Sequence, residues 1–506
     1  MNHANSFWVW RLLYGCFLAI LMYFVTYHRQ ERESRAPDRP NKPRYIPFVN
    51  SLLLMSFLFF LPLDALLFGR SVREALHLTL SACFAVLVQI CLFYPILLAL
   101  LPVLRKKISA RSCAALWLLP NFLYLIMTNH AMMADRPLLV LYLPERIFRA
   151  AVVIWLTGFL AVFFRKVAEH ICFRKTVLAQ AQEVSCPDTL ALWEAEQQAA
   201  GFGKHRFRLV TSPAVTTPLT IGFLRRSIRV ILPKRTYTQE ELALILRHEV
   251  IHLGRSDAAD KLFMTFCNAL CWFHPLMWLA TQRSAEDAEL SCDEAVLQDA
   301  DPDTRLRYAE LLLTTAGDDR GFSSNLSNSA KALRYRLQQV VHPGEKTAGA
   351  IVMALASAFL LLTCGLVSVT YGDTTGQAAL FSDYSESMRL DSASKTGSYS
   401  YWGESTVSYL SRTHYTDWEE APLQQWLSDL ELSRITGQYS FDGSTEDTFY
   451  LYYEIPDGHL FLELQPDLIA VKRLENGKLE TCAYRPKEPL NYEELEGFFR
   501  ESQNQS

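Results

Sequence analysis

The sequence lacks any strong excess of charge, since 49 lysine and arginine residues oppose 53 aspartate and glutamate residues for a net charge of −4. Such a balance creates no global field that would favour nucleic acid, and we expect no direct nucleic-acid contact. Cysteine is almost absent from residues 372–506, which contain only Cys482. Because one thiol cannot form an internal disulfide, that region must be held together by its own hydrophobic core.

Long apolar runs, by contrast, are abundant. Hydrophobic residues make up 50% of the chain and charged residues 20%, a mixture that indicates membrane spans joined to water-exposed domains. A helix needs about 20 apolar residues to cross a bilayer. Six runs are candidates for such helices, namely residues 8–27, 48–68, 76–104, 113–128, 150–164 and 348–371. The first run lacks a small-x-small cleavage site and precedes a basic loop, which favours a span over a cleaved signal peptide.

Basic residues are concentrated in alternate short loops. They follow the first, third and fifth runs: Arg29, Arg32, Arg35, Arg39, Lys42, Arg44, then Arg105, Lys106, Lys107, Arg111, then Arg165, Lys166, Arg174, Lys175. The intervening loops carry fewer basic residues, among them Arg70, Arg73, Arg136 and Arg146. Because basic residues favour the cytoplasmic side, we predict that the amino terminus and the chain after residue 371 lie outside, with residues 165–346 in the cytosol.

A helix that carries a metal-binding motif is predicted after Thr238. Thr238-Gln-Glu-Glu241 has the pattern of a capping box, and Gly254 is predicted to end the helix. The helix contains His248-Glu-Val-Ile-His252, whose two imidazoles lie on one side, four residues apart, and can chelate one Zn²⁺. Glu249 is placed to take a proton from water that the metal activates. The alternative is an ordinary helix with two core or exposed histidines.

A catalytic zinc usually has three protein ligands and an open position, and the next acidic segment offers the third. Glu286, Glu289 and Asp293 share one face of a predicted helix, where carboxylates repel one another unless a cation or basic partner is present. We select Glu289 as the ligand, with Glu286 as the alternative. Asp293 is predicted to orient a zinc-bound imidazole. A solvated acidic helix face is the interpretation without a metal.

Four further residues near these motifs are candidate site residues. Cys292 is predicted to point away from the Glu289 face of the helix. His274 lies in an apolar stretch, which favours a buried or membrane-dipping position over metal binding. Arg255 and Asp257 follow the histidine motif and either brace the site or form a surface salt bridge.

Several spaced motifs occur in a fixed order. They are Arg247-His-Glu-Val-Ile-His252, Arg255-Ser-Asp257, Trp272-Phe-His-Pro-Leu-Met-Trp278 and Glu289-Leu-Ser-Cys-Asp-Glu-Ala-Val296, preceded by a β-hairpin-like segment at 212–233. Over about residues 165–345 the chain thereby resembles the BlaR/MecR-type membrane zinc metallopeptidases, antirepressor sensors of the gluzincin kind.

The resemblance implies a set of roles and partners. Zinc would be bound by His248, His252 and Glu289, with Glu249 as general base. A substrate backbone would pair as an added strand with the upstream hairpin. Family members cleave themselves and trigger loss of a winged-helix repressor, so both become candidate substrates here, and a homodimer is a further candidate assembly.

Two departures from the β-lactam sensors stand out. Those sensors have four spans, whereas six runs are found here, and their penicillin-binding sensor domain needs more residues than 372–506 provide. Ser392-Ala-Ser-Lys395 and Lys395-Thr-Gly397 match S-x-x-K and K-T-G. Because they overlap in a Ser/Gly-rich stretch, we interpret them as coincidence and expect no β-lactam sensing.

The predicted fold class is a multi-pass α-helical membrane protein with a cytosolic α+β gluzincin-like zinc metalloprotease domain and a small extracellular α+β C-terminal domain. The predicted boundaries are 1–164 for a membrane domain with about five transmembrane helices, 165–346 for the protease, 347–371 for the last transmembrane helix, 372–415 for a linker and 416–506 for the small domain. Hairpins are predicted at 449–464 and 468–484, and a closing helix at 492–501.

The predicted function is a zinc endopeptidase of the bacterial plasma membrane that converts an extracellular signal into cytosolic proteolysis. Two alternatives remain. One is a constitutive quality-control or processing metalloprotease. The other is a non-catalytic membrane receptor with a structural zinc site.

Overall fold

The computed structural model describes residues 3–34, 44–45, 72–123, 139–202, 207–222, 227–315, 326–364, 366–381, 388–401, 407–436, 448–456, 458–475 and 478–501. The predicted span at 48–68 and the end of the one at 113–128 lie outside these residues. The number of spans therefore stays a prediction.

The N-terminal region is helical and partly apolar, as predicted. Its helices are α1 (His3–Ser34), α2 (Val72–Lys107), α3 (Ala110–Leu118, continued by a 3₁₀ turn) and α4 (Glu145–Ala179). Among the described residues, α1, α2 and α4 each contain a stretch long and apolar enough to cross a membrane. The chain therefore has the helices of a membrane protein, and their orientation stays a prediction.

The predicted span at 348–371 is only partly helical. Its helix is Ala350–Thr363, and Val367–Thr375 is a β-strand. The helix prediction is therefore wrong for residues 367–371. Valine, threonine and tyrosine suit an extended, pleated backbone, and their hydrophobicity alone does not distinguish a helix end from a buried strand.

The zinc-motif region folds as a small sheet covered by helices. The strands are β2 (Gln182–Glu183), β3 (Arg208–Ser212), β4 (Leu219–Ile221) and β5 (Arg229–Pro233). Their order is β2-β3-β5-β4, with β3 parallel and β4 antiparallel to β5. Within the described residues β4 is an edge strand of this sheet.

Six helices belong to the same region. They are α5 (Pro187–Ala199), α6 (Gln239–Arg255), α7 (Asp257–Leu270), α8 (Pro275–Val296), α9 (Pro302–Thr315) and α10 (Leu326–Val341). The core between the sheet and the helices contains Val230, Leu246, Val250 and Cys292. Helix α6 thereby packs against both the edge strand β4 and helix α8. The apolar helix Ala350–Thr363, which follows α10, is α11.

The tail forms a ten-stranded sheet with a strand from the membrane region. The strands are β1 (Leu139–Leu143), β6 (Val367–Thr375), β7 (Arg389–Tyr401), β8 (Val407–Trp418), β9 (Glu431–Thr436), β10 (Thr448–Ile455), β11 (Gly458–Gln465), β12 (Leu468–Glu475), β13 (Lys478–Pro486) and β14 (Phe499–Glu501). Both predicted hairpins are confirmed, because β10 pairs antiparallel with β11 and β12 with β13.

The predicted linker at 372–415 is wrong for most of its described residues. Strands β7 and β8 pair from Ala393↔Tyr415 to Tyr401↔Val407, and Ser394 and Thr396 are buried. The Ser/Thr/Gly composition suggested a loose segment, but alternating small polar and aromatic residues also fit a pleated surface. The S-x-x-K match lies on β7, in extended backbone, which agrees with the interpretation as coincidence.

The predicted closing helix is shorter than expected. It is α13 (Tyr492–Gly497), preceded by α12 (Glu420–Asp429) earlier in the tail, and Phe499 pairs with Trp418 as part of β14. Phe499 is 7% exposed. The helix therefore ends where this aromatic side chain has to enter the core of the sheet.

Strand β1 joins the membrane region to the tail. It pairs in parallel with β6 from Leu139↔Val367 to Leu143↔Tyr371. Strand β1 immediately precedes α4, and β6 follows α11. The N-terminal end of α4 and the C-terminal end of α11 therefore both lead to the ten-stranded sheet. Which side of a membrane these ends face stays a prediction.

Candidate metal centre

Helix α6 begins at the predicted capping box. The Thr238 backbone N–H donates to Glu241 Oε2 at 2.8 Å, and the Glu241 backbone N–H donates to Thr238 Oγ1 at 3.3 Å. Leu242, Ile245 and Leu246 are buried on the inner face. The capping box is confirmed. Together with the buried face, it fixes the rotation of the helix about its axis, and so the side on which His248 and His252 project.

The predicted helix end at Gly254 is wrong by one residue. Helix α6 continues to Arg255, and Ser256 adopts the left-handed conformation with φ of 62°. Gly254 serves close packing, because a Cβ there would lie 2.6 Å from Tyr45 Cβ. The turn at Ser256 starts α7 at once and places Asp257 beside His252.

The structure brings together His248, His252 and Glu289. The two Nε2 atoms are 3.0 Å apart, and Glu289 Oε2 lies 3.5 Å from the His248 Nε2 and 3.7 Å from the His252 Nε2. Donor atoms bound about 2.1 Å from a tetrahedral zinc lie roughly 3.4 Å from one another. The chemistry of these donors fits one zinc ion, and their spacing needs only small side-chain shifts to match it.

The alternative ligand Glu286 faces away from the imidazoles. Its Oε2 accepts from Arg283 Nη1 at 2.7 Å and lies 3.4 Å from Arg105 Nη2. Two guanidinium groups thus neutralise this carboxylate. The geometry favours Glu289 over Glu286 as the third ligand.

The far side of His252 is held by Asp257. Asp257 Oδ2 lies 2.5 Å from His252 Nδ1, so Nε2 is left for the metal. The Cys292 thiol lies 3.4 Å from the same Nδ1 atom. Asp257 therefore braces the site, and Cys292 lies behind the ring, away from the Nε2 side that the three donors share.

His248 is braced by residues that the sequence did not reveal. Its Nδ1 atom lies 2.9 Å from the Tyr308 hydroxyl, which donates to Asp293 Oδ1 at 2.7 Å. Arg336 Nε donates to Asp293 Oδ2 at 2.7 Å, and its Nη1 lies 3.7 Å from Glu289 Oε2. Asp293, at 3.5 Å from His248 Nδ1, thus orients the imidazole through Tyr308.

Charge neighbours shift the titration of the donor groups. Burial opposes the charged form of His252, but Cys292 and Glu289 outweigh burial and hold the pKa of His252 well above its ordinary value. Burial also opposes ionisation of Glu289, yet Lys261 and His252 hold the pKa of its carboxyl well below the ordinary range. The Glu289 carboxylate would therefore already be ionised for a metal, whereas His252 would have to lose a proton to bind one.

Replacing Tyr308 by phenylalanine is expected to weaken zinc binding about tenfold, the lower end of the range for residues that support a metal ligand. The change removes only the hydroxyl between His248 and Asp293. Competition with a zinc chelator measures the dissociation constant, and Tyr237→Phe, in the same domain, is the matched control. Equal zinc affinity of Tyr308→Phe and the wild type would rule out this bracing role.

Glu249 and the sheet edge complete the site. Glu249 is buried, and its Oε2 accepts from Thr220 Oγ1 of β4 at 2.7 Å. A cleft of about 1820 Å³ is lined by β4, by the donor residues and by α4. His274, weighed as a ligand, lies elsewhere, with its Nε2 3.2 Å from Cys91 Sγ.

Comparisons with known proteins find similarity over the region of the chain that contains these residues. Residues 126–340 match a family model described as BlaR1 peptidase M56. The regulatory protein BlaR1 of Bacillus licheniformis is 27% identical over 221 residues, which are 42% of this chain and 36% of the relative. The chain thus spans about a third of the relative's length. The resemblance to the BlaR/MecR-type family is confirmed over this region.

Proposed function

We propose that this protein is a membrane-bound zinc endopeptidase that turns an extracellular event into cytosolic proteolysis, a proposal supported by the match of residues 126–340 to the BlaR1 peptidase M56 model. One observation carries the proposal: three donor atoms of His248, His252 and Glu289 converge within 4.8 Å of one another. The buried Glu249 carboxylate lies on the same helix, one residue after His248. A purely structural zinc site has no need of such a base.

The chemistry is peptide hydrolysis. Zinc on the three donors would lower the pKa of a bound water molecule and polarise the scissile carbonyl. Glu249 takes a proton from the attacking water and passes it to the leaving amine. Thr220 holds Oε2 of this carboxylate at 2.7 Å, so the other oxygen is presented for proton transfer.

The substrate binds as an extended strand along β4. The edge of β4 that faces away from β5 offers backbone donors and acceptors to such a strand. Thr220 lies at the centre of β4. Substrate pairing and orientation of the general base are therefore served by the same three-residue strand.

Replacing Thr220 by valine is expected to slow cleavage on the order of tenfold to a hundredfold, the value of one hydrogen bond to a charged group. The side chain keeps its shape and loses only the donor to Glu249. Fragment formation in membranes gives the rate, while zinc affinity should stay unchanged. Thr211→Val on β3, whose hydroxyl bonds Gln182 O at 3.4 Å, is the matched control and should cleave normally.

The proposed setting is the bacterial plasma membrane, with the amino terminus and the ten-stranded sheet outside and the peptidase in the cytosol. The substrates we propose are the chain itself and a cytosolic protein such as a winged-helix repressor. The membrane bilayer and a second copy of the chain complete the proposed partners.

The test is fragment formation by the full-length protein, tagged at both ends, in membranes. A cut within residues 165–346 supports the proposal. Cleavage at a constant rate under all extracellular conditions would favour a constitutive processing protease instead. Bound zinc with no cleavage of the chain or of added cytosolic proteins would favour a non-catalytic receptor.

A further inference from the structure

Arg255, the last residue of α6, is a buried cation with partners on two other helices. Its Nη2 donates to Glu33 Oε2 at 2.9 Å, and its Nη1 donates to Ser291 Oγ at 2.6 Å. Its guanidinium also lies 5.8 Å from the centre of the Tyr45 ring. Arg255 is 6% exposed. A buried ion pair of this kind is costly to break from one side, because the remaining charge stays buried.

The partner Glu33 belongs to the last turn of α1, at the end nearest the peptidase. Glu33 also forms an ion pair with Arg111 at the start of α3. The side chains of Glu33 and Arg255 are 11% and 7% exposed. The end of the first membrane helix is thus joined to the end of the zinc-motif helix by a largely desolvated pair.

Arg255 lies between the groups that hold the metal donors. Ser291 follows Glu289 by two residues on α8, and Asp257, which braces His252, follows Arg255 by two residues. A shift of the guanidinium would therefore be passed to both helices that carry donors.

Helix α8 is also fixed to two further helices of the N-terminal region, α2 and α3. The buried Asp287 accepts from Arg105 Nε at 2.7 Å and from Trp117 Nε1 at 2.8 Å. Glu294 Oε2 accepts from the Ala110 backbone N–H at 2.9 Å. These contacts hold α8 against α2 and α3, whereas Arg255 connects α8 with α1.

Helix α1 in turn packs along α11. Arg11 Nη1 donates to Leu362 O at 3.1 Å. The helices also approach each other at Gly15, where a Cβ atom would lie 3.9 Å from Leu362 Cγ. Helix α11 leads directly into β6 of the ten-stranded sheet. A contiguous set of packed elements therefore runs from that sheet through α11 and α1 to the metal centre.

We infer that Arg255 is a positioning residue. Through it, the C-terminal end of α1, where Glu33 lies, holds the metal donors in their binding geometry. Displacement of α1 would loosen the Glu33–Arg255–Ser291 contacts and weaken the hold on zinc. The inference rests on the proposed zinc site and adds the element that regulates it. Contiguity alone does not establish coupling, and a double-mutant cycle does.

The experiment measures the zinc dissociation constant of full-length protein in nanodiscs by chelator competition, for Glu33→Gln, Ser291→Ala and the double variant. Glu33→Gln should raise the constant about tenfold and Ser291→Ala a few-fold. Because both act through Arg255, the double variant should fall clearly short of the product of the single effects. Glu33→Asp keeps the carboxylate and should recover most of the affinity.

Glu31→Gln, on the same turn of α1, is the matched control and should bind zinc like the wild type. An unchanged constant in Glu33→Gln, or single effects that multiply in the double variant, would overturn the inference. If Glu33→Gln does not fold, an unchanged constant in Ser291→Ala overturns it. Wild type that binds zinc without cleaving contradicts the proposed function alone, and wild type that binds no zinc contradicts both.

Discussion

Replacing Glu249 by glutamine is expected to slow peptide cleavage about 10³-fold and to leave zinc bound. The glutamine is nearly isosteric, so the hydroxyl of Thr220 can still donate to its carbonyl oxygen. An amide cannot accept the proton of the attacking water, and general-base catalysis is worth on the order of 10²–10⁴-fold. We expect a loss of about 10³-fold in the rate of fragment formation, measured by blotting both tagged ends.

The zinc affinity of the Glu249→Gln variant should match that of the wild type, because Glu249 is not a donor. Glu240→Gln is the matched control, since Glu240 is on the first turn of the same helix, 70% exposed and paired with Arg307. Normal cleavage by Glu249→Gln would show that the base is misassigned. Loss of zinc from that variant would show that Glu249 belongs to the metal-binding set.

Replacing His252 by alanine is expected to remove zinc and with it cleavage. Structural zinc sites in zinc-finger peptides are worth about 10–16 kcal/mol in total, and the same scale divided over three protein donors gives about 3–5 kcal/mol for each. That share corresponds to a dissociation constant raised at least a hundredfold. Asp257 and Cys292, which contact Nδ1 of the His252 imidazole, would then lose that contact. Chelator competition and metal analysis of the purified protein measure the effect.

His342→Ala is the matched control for His252→Ala, because His342 is exposed in the same domain. It should bind zinc like the wild type. Retention of wild-type affinity by His252→Ala would contradict the assignment, and the motif would then be an ordinary pair of helix histidines.

The parts of the fold that the sequence predicted are those with local signals. The capping box at Thr238 and Glu241 spans four residues, and the two tail hairpins are set by Pro456-Asp-Gly458 and Glu475-Asn-Gly477. Spacing of three and four residues also placed His248, His252 and the carboxylates on helix faces. Such signals arise from the backbone geometry of one element and need no knowledge of its partners.

The parts that escaped prediction depend on contacts distant along the chain. Tyr308 lies 60 residues after His248, and Glu33 lies 222 residues before Arg255. No period relates such residues, and only packing of separate helices brings them together. Strands β7 and β8 were hidden for a similar reason, since their Ser/Thr-rich composition becomes a strand pattern only when partner strands are present.

The central claim is that zinc at His248, His252 and Glu289 drives peptide hydrolysis by this chain. Its most direct test strips metal from membranes that contain the doubly tagged protein and then restores zinc, with fragments followed from both ends. We predict that fragment formation stops on stripping and returns with zinc in the wild type, and that with zinc it is about 10³-fold slower in Glu249→Gln. Fragments that continue to form at the wild-type rate after stripping, or that form at the wild-type rate in Glu249→Gln, would contradict the account.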